Sequence, residues 1–246
     1  MTETDPTETD PTQTGSTQTG STQTELTTSG HPEITLDQHV ALKTAATRLS
    51  GDFEGVFGAE TIERFLTSSY DQFANRATVV TFLPLLAERF ARQRLTALAK
   101  VEGKATNGKP VVLFLCTHNA GRSQMALGFF THHAGDAATA WSGGSEPGVQ
   151  VNPAAVEAMA ERGINIAGEY PKPWTDEIVQ AADVVITMGC GDACPIFPGK
   201  RYEEWTLDDP AGLEVADVRP IRDEVERRVL ALLVELEVAP AGTVTA

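Results

Sequence analysis

The chain has 246 residues, 41% of them hydrophobic, with 19 basic against 34 acidic side chains and a net charge of −15. That composition supports a sizeable buried core, and its acidity argues against nucleic-acid or anionic-membrane partners, which like charge repels. No apolar run reaches the roughly 18–20 residues of a membrane span. The N-terminus has neither the basic start nor the apolar stretch of a secretory signal, so a cytoplasmic protein is expected. Three cysteines make a poor disulfide framework, and without an export signal they are more often catalytic, metal-binding or inert.

In residues 1–32 the string TETDP occurs twice, followed by TQTGS, TQTGS and TQTE. So polar a stretch cannot bury enough surface to offset its ordering entropy, and a disordered tail is expected. Residues 33–103 carry apolar positions at helical spacing in three stretches, Ile34–Leu49, Ala59–Ala74 and Ala77–Val101. Leu36, Val40, Leu42, Ala45 and Leu49 form one stripe; Ile62, Phe65, Leu66, Tyr70 and Phe73 form the next. The third stretch carries Val79, Phe82, Leu83, Leu86, Phe90 and Leu95, and Pro84 inside it should kink or split the helix. Short connections holding Gly51, Gly55, Gly58 and Asn75 favour antiparallel neighbours, hence a small three-helix bundle. Gly, Asn, Thr and Pro then crowd the stretch from Glu102-Gly103-Lys104 through Lys109-Pro110, a linker.

From Val111 strands and helices alternate. Val111–Leu115 is a run of β-formers, followed by a helix over about Ser123–His133. Thr139–Ser142 resembles a second strand, and Asn152-Pro153 caps a helix that stops at Gly163. Ile164–Ile166 adds a few extended residues, and Thr175 caps a short helix ahead of the buried-type strand Asp183–Met188. Ile221, Val225, Val229, Leu232, Leu233 and Leu236 mark a closing amphipathic helix. The pattern over residues 110–238 implies an α/β domain, a parallel sheet with helices on both faces.

The most informative stretch is VVLFL-CTHNAGRS. A cysteine ends a strand, five residues follow, and Arg122-Ser123 opens a helix. In a loop curled between strand and helix, the N–H groups from Thr117 through His118, Asn119, Ala120 and Gly121 to Arg122 can point inward. The helix N-terminus adds positive potential at the same place. Gly121 removes bulk where the backbone turns, and Arg122 offers a planar fork to two oxyanion oxygens. The same positive groups favour a nucleophilic Cys116 thiolate, and Ser123 can donate a hydrogen bond to its sulfur. A buried core cysteine is the bland alternative. A Cys116/His118 metal pair lacks a third or fourth ligand at zinc-like spacing, and no metal is expected.

This stretch resembles the low-molecular-weight protein tyrosine phosphatase superfamily, specifically its arsenate reductase branch, over about Val111–Leu236. C-x5-R-S followed by Gln124-Met125-Ala126 is typical of it, as is Trp205-Thr206-Leu207-Asp208-Asp209-Pro210. The resemblance implies a four-stranded parallel sheet with the anion loop after the first strand. It implies Asp209 as general acid, with Asp208 the adjacent alternative. The chemistry asks for such a group because a protonated oxygen departs more readily.

A phosphatase regenerates its cysteine with water and needs no other thiol, yet here Gly189-Cys190-Gly-Asp-Ala-Cys194 directly follows a strand. Strand C-terminal ends of a parallel α/β sheet share one edge, so the Cys190 loop should lie beside the Cys116 loop. A thiol there can attack the sulfur of a Cys116–arsenic adduct, and Cys194 can then exchange onto Cys190. Three intervening residues permit disulfide reach if the segment turns. Thioredoxin-coupled arsenate reductases carry such a relay, which implies Cys116, Cys190 and Cys194 as redox residues, arsenate as substrate, thioredoxin as external reductant, and no bound cofactor. Two departures stand out. The resolving cysteines are closer together than is usual, and Leu127 occupies the place of an acidic potassium ligand. A monomer is expected. Mycothiol-dependent reduction, tyrosine phosphatase activity and a redox-sensing regulator are the alternatives.

Overall fold

The computed structural model describes residues 34–74, 80–104, 108–189 and 196–239. The Thr-rich tail, the start of the third helical stretch, and both Cys190 and Cys194 lie outside the described residues. Three helices come first: α1 (Leu36–Asp52), α2 (Ala59–Ala74) and α3 (Leu83–Val101). The α/β part follows as β1 (Val111–Cys116), α4 (Arg122–Ala134), β2 (Thr139–Gly144), α5 (Pro153–Ala160), α6 (Asp176–Ala181), β3 (Val184–Met188), β4 (Arg201–Glu204) and α7 (Val215–Glu235). The strands form one parallel sheet in the order β2-β1-β3-β4. No helix among the described residues is long and apolar enough to cross a membrane.

β1 is buried along its whole length, which is why it reads as an unbroken apolar run rather than an alternation. Its residues nonetheless sort by face. Val111, Leu113 and Leu115 pack with Phe73, Phe90, Leu95, Ile178 and Val179, so α3 and α6 cover that side. Val112, Phe114 and Cys116 pack with Met125, Phe129, Met159, Val225 and Val229, which places α4, α5 and α7 on the other. The helical bundle therefore shares a core with the sheet. Polar ties reinforce the seam: Arg94 Nε donates to Glu177 (2.5 Å), Lys100 Nζ to Asp183 (2.6 Å), and Arg89 Nη1 to the Gly168 carbonyl (2.8 Å).

Several local expectations need correction. Pro84 does not kink a helix; α3 begins at Leu83, so the proline sits in the first turn, where its missing N–H has no helical acceptor to lose. The Leu36–Leu49 stripe is buried only at Ala45 and Leu49, while Leu36 and Val40 are exposed. α1 is started instead by a capping box in which Thr35 and Gln38 bond each other's backbone N–H. Ile164–Ile166 form no strand; Ile166 is a core plug against α4. Thr175 stands at the N-cap of α6 without a side-chain cap bond, its hydroxyl buried with no hydrogen-bond partner among the described residues. The closing helix starts before the apolar periodicity does, at Val215, and tolerates Pro220 in its second turn. By contrast, the Asn152 side chain does cap α5, accepting from Ala154 N (2.9 Å) and Ala155 N (3.3 Å).

Phe90 is fully buried where bundle meets sheet, edge-on to Phe73 at 5.6 Å. Phe90→Ala should cost roughly 3–5 kcal/mol, and urea unfolding followed at Trp141, on the sheet, should report it as one shared transition. A loss confined to the helical signal would show that the seam does not carry the fold.

Candidate active site

Cys116 lies level with Gly144 on one neighbouring strand and Met188 on the other. The chains leaving β1, β2 and β3 therefore issue from one edge of the sheet, where parallel α/β folds place their ligands. The segment after Cys116 is held from outside by its carbonyls. Glu146 N donates to Thr117 O (2.9 Å), Gly148 N to His118 O (2.8 Å), Asn152 N to Ala120 O (2.8 Å) and Met125 N to Gly121 O (2.9 Å). The Gln124 side chain donates to Asn119 O (3.0 Å). In a trans peptide the N–H points opposite to the C=O. Drawing these carbonyls outward thus turns the N–H groups of His118, Asn119, Ala120, Gly121 and Arg122 into the loop. A ring of amides at a helix N-terminus is a concavity for an anion.

Asn119 organises the inner wall. It adopts a left-handed backbone (φ 46°), which asparagine tolerates better than most residues, and is fully buried. Its Oδ1 accepts from Lys172 N (3.0 Å) and Gln124 Nε2 (3.2 Å), and its Nδ2 donates to Ser123 Oγ at 2.9 Å. A serine oxygen that accepts there keeps its own hydrogen for another partner, and Cys116 Sγ is that partner at 3.0 Å. His118 contributes backbone only; its exposed ring turns outward to the Glu146 carbonyl at 3.1 Å.

The opposite wall comes from the segment after β4. Arg122, 8% exposed, donates through Nη2 to Asp209 Oδ2 at 2.7 Å. Asp209 also accepts from Ala211 N (3.0 Å), and the Pro210 carbonyl accepts from Asn152 Nδ2 (2.8 Å). Pro210 presses on Gly121 so closely that a Cβ there would lie 2.5 Å from its ring. Asp208 is exposed. Gly189, the residue before Cys190, completes the rim: its carbonyl accepts from Thr117 Oγ1 at 2.8 Å. Its φ of +76° suits glycine, and a Cβ would lie 2.9 Å from Arg122 Nη1. Among the described residues no three His, Cys, Asp or Glu side chains converge as metal ligands.

Asn152, Gln124, Lys172 and Gly189 were not singled out as site residues from the sequence. A capping Asn and a helical Gln are ordinary residues until the long-range contact is known, and only the glycine-flanked cysteine hinted at Gly189. Lys172 is the most unusual: 3% exposed, with Nζ 3.2 Å from Ser142 Oγ and 3.8 Å from Glu169. Burial, partly offset by Glu169 and helped by Arg89, lowers its pKa from 10.5 to about 8. Between those values the unfolded chain binds the proton that the folded chain does not, so stability rises with pH there and the full cost is felt below pH 8. Lys172→Met should therefore be more stable at neutral pH, by about 3 kcal/mol, with a flattened profile between pH 8 and 10.5. Denaturant melts across that range check it, and a variant less stable at pH 7 would show that the ammonium contacts outweigh its burial.

Comparison with known proteins gives a consistent family. Residues 42–99 match the protein-tyrosine-phosphatase-like N-terminal domain, and residues 111–240 match low molecular weight phosphotyrosine protein phosphatase. An arsenate reductase of Halalkalibacterium halodurans is 41% identical over 131 residues, 49% of this chain and 93% of that protein. Arsenate reductase 2 of Staphylococcus epidermidis is 39% identical over 125 residues, 49% of this chain and 94% of that protein. Among solved structures, the thioredoxin-dependent arsenate reductase of Corynebacterium glutamicum aligns with a TM-score of 0.71 and 43% identity. That alignment covers 80% of this chain and 96% of the other, so it extends past the α/β part into the helices. The chain belongs to the low molecular weight phosphotyrosine protein phosphatase family.

Proposed function

We propose that this enzyme reduces arsenate to arsenite in the cytoplasm, with thioredoxin as the source of electrons and no bound cofactor. The observation that carries the reading is the Thr117–Gly189 hydrogen bond of 2.8 Å, which ties the residue preceding Cys190 to the loop that begins at Cys116. The 43% identity to a thioredoxin-dependent arsenate reductase over 80% of the chain supports the same substrate and reductant.

In this mechanism the inward N–H groups and the Arg122 fork hold the arsenate oxygens. Cys116 sulfur attacks arsenic, forming an S–As bond, while Asp209 supplies the proton with which one oxygen leaves as water. The Ser123 hydroxyl steadies the sulfur. Cys190 then attacks Cys116 sulfur; a disulfide forms, the S–As bond breaks, and its electron pair stays on arsenic, which leaves as arsenite. Cys194 attacks Cys190, restoring Cys116, and thioredoxin reduces the Cys190–Cys194 disulfide. A phosphatase would share the Cys116, Arg122 and Asp209 chemistry but would have no use for the two later thiols.

Arsenate-dependent NADPH oxidation with thioredoxin and its reductase tests the scheme. Cys116→Ser should be inactive, Cys190→Ser and Cys194→Ser should each lose thioredoxin-driven turnover, and Asp209→Asn should fall by about 10²–10⁴-fold. Full activity of both resolving-cysteine variants with mycothiol as the only reductant would overturn the relay. Hydrolysis of an aryl phosphate without any arsenate turnover would return the chain to phosphatase chemistry.

A further inference from the structure

A second concavity opens where α3 meets the β2 edge of the sheet. It has a volume of about 310 Å³, several times the roughly 30 Å³ share of one water molecule. Arg89, Arg92 and Gln93 reach it from α3, Ser142 from β2, and Glu169 and Lys172 from the segment ahead of α6. Cys116, Arg122 and Asp209 do not line it.

Three cationic side chains, Arg89, Arg92 and Lys172, line it against a single carboxylate. The Lys172 ammonium, 3% exposed, has three N–H groups, and among the described residues its hydrogen bond to a side chain is the one to Ser142 Oγ at 3.2 Å. Glu169 is the one carboxylate in the lining, and it lies 3.8 Å from Lys172 and 3.7 Å from Arg89. Those separations give Coulomb attraction without a good hydrogen bond. Gln93 Nε2 is buried with no hydrogen-bond partner among the described residues. Arg92 is already engaged with Asp52 and Glu88, and Arg89 gives Nη1 to the Gly168 carbonyl at 2.8 Å. Arg89 and Lys172 also lie over the Tyr170 ring, at 4.7 and 4.8 Å, which leaves the rest of the Arg89 fork, the Lys172 ammonium and the Gln93 amide facing the cavity. Buried donors in this condition are costly, and together with the surplus positive charge they call for an acceptor-rich anion. The donors approach from three separate elements, which suits a tetrahedral group better than a planar carboxylate.

We propose that this cavity is a second oxyanion site, separate from the Cys116 loop, taking a tetrahedral anion of the sulfate or phosphate class. The anion bridges Gln93 and Arg89 on the bundle to Lys172 and Ser142 on the α/β part, so it clamps the two parts together. It also lies one residue from the catalytic loop, because the Lys172 main-chain N–H holds Asn119 Oδ1 at 3.0 Å.

Equilibrium dialysis of the reduced full chain with radiolabelled sulfate, at ionic strength held constant with sodium chloride, tests this. Two sulfates should bind per wild-type chain. Arg89→Met and Gln93→Leu should each weaken one of them by about tenfold or more and leave the other unchanged. Arg122→Ala should do the reverse, removing the loop sulfate and sparing the cavity one. Phosphate should displace the cavity sulfate, and acetate at matched ionic strength should not. A single sulfate in the wild type, or a second one indifferent to both α3 substitutions, means an adventitious ion only and overturns the proposal. Displacement by acetate as effective as by phosphate overturns the tetrahedral preference.

Discussion

The site depends on which way five peptide groups face. Glu146, Gly148 and Asn152 all belong to the chain leaving β2, and their N–H groups draw the Thr117, His118 and Ala120 carbonyls outward; Gln124 and Met125 of α4 take the two that remain. The anion-binding concavity is thus a by-product of satisfied acceptors on its outer surface, which fixes the donors before any ligand arrives and removes the cost of organising them. This works only because β1 and β2 end level, so that the strand-end loops run side by side.

Around that constraint the remaining parts are buttresses. Asn119 is tied to Gln124, Lys172 and Ser123 at once, which orients the serine hydroxyl toward sulfur without any charged group. Pro210 packs on Gly121 while Asn152 holds its carbonyl, so the segment carrying Asp209 is clamped to the loop it serves. Asn152 caps α5, donates its own backbone N–H to the loop and fixes Pro210. One side chain and one peptide group thereby position both walls.

Much of this was legible in the residues. The apolar run before Cys116 marked a strand buried on both faces, and C-x5-R-S between strand and helix marked the loop. β4 was not legible from its own residues: Arg201–Glu204 is a four-residue charged edge strand with no apolar alternation, and such charge is what discourages edge pairing. The resemblance alone implied a fourth strand. Pro84 misled because a proline inside an apolar stretch can equally open a helix. The Asn119–Lys172 contact spans 53 positions, and no local pattern encodes it.

The strict alternation along β1 has a consequence for how this chain tolerates change. Leu115 faces the helical bundle and Cys116 faces α4 and α7, so the nucleophile's side of the sheet is a matter of parity. Gaining or losing a single residue between Val111 and Cys116 would aim the sulfur into the bundle core and send leucine to the reactive rim. The connections elsewhere can vary in length by small steps, whereas this strand admits change only in twos.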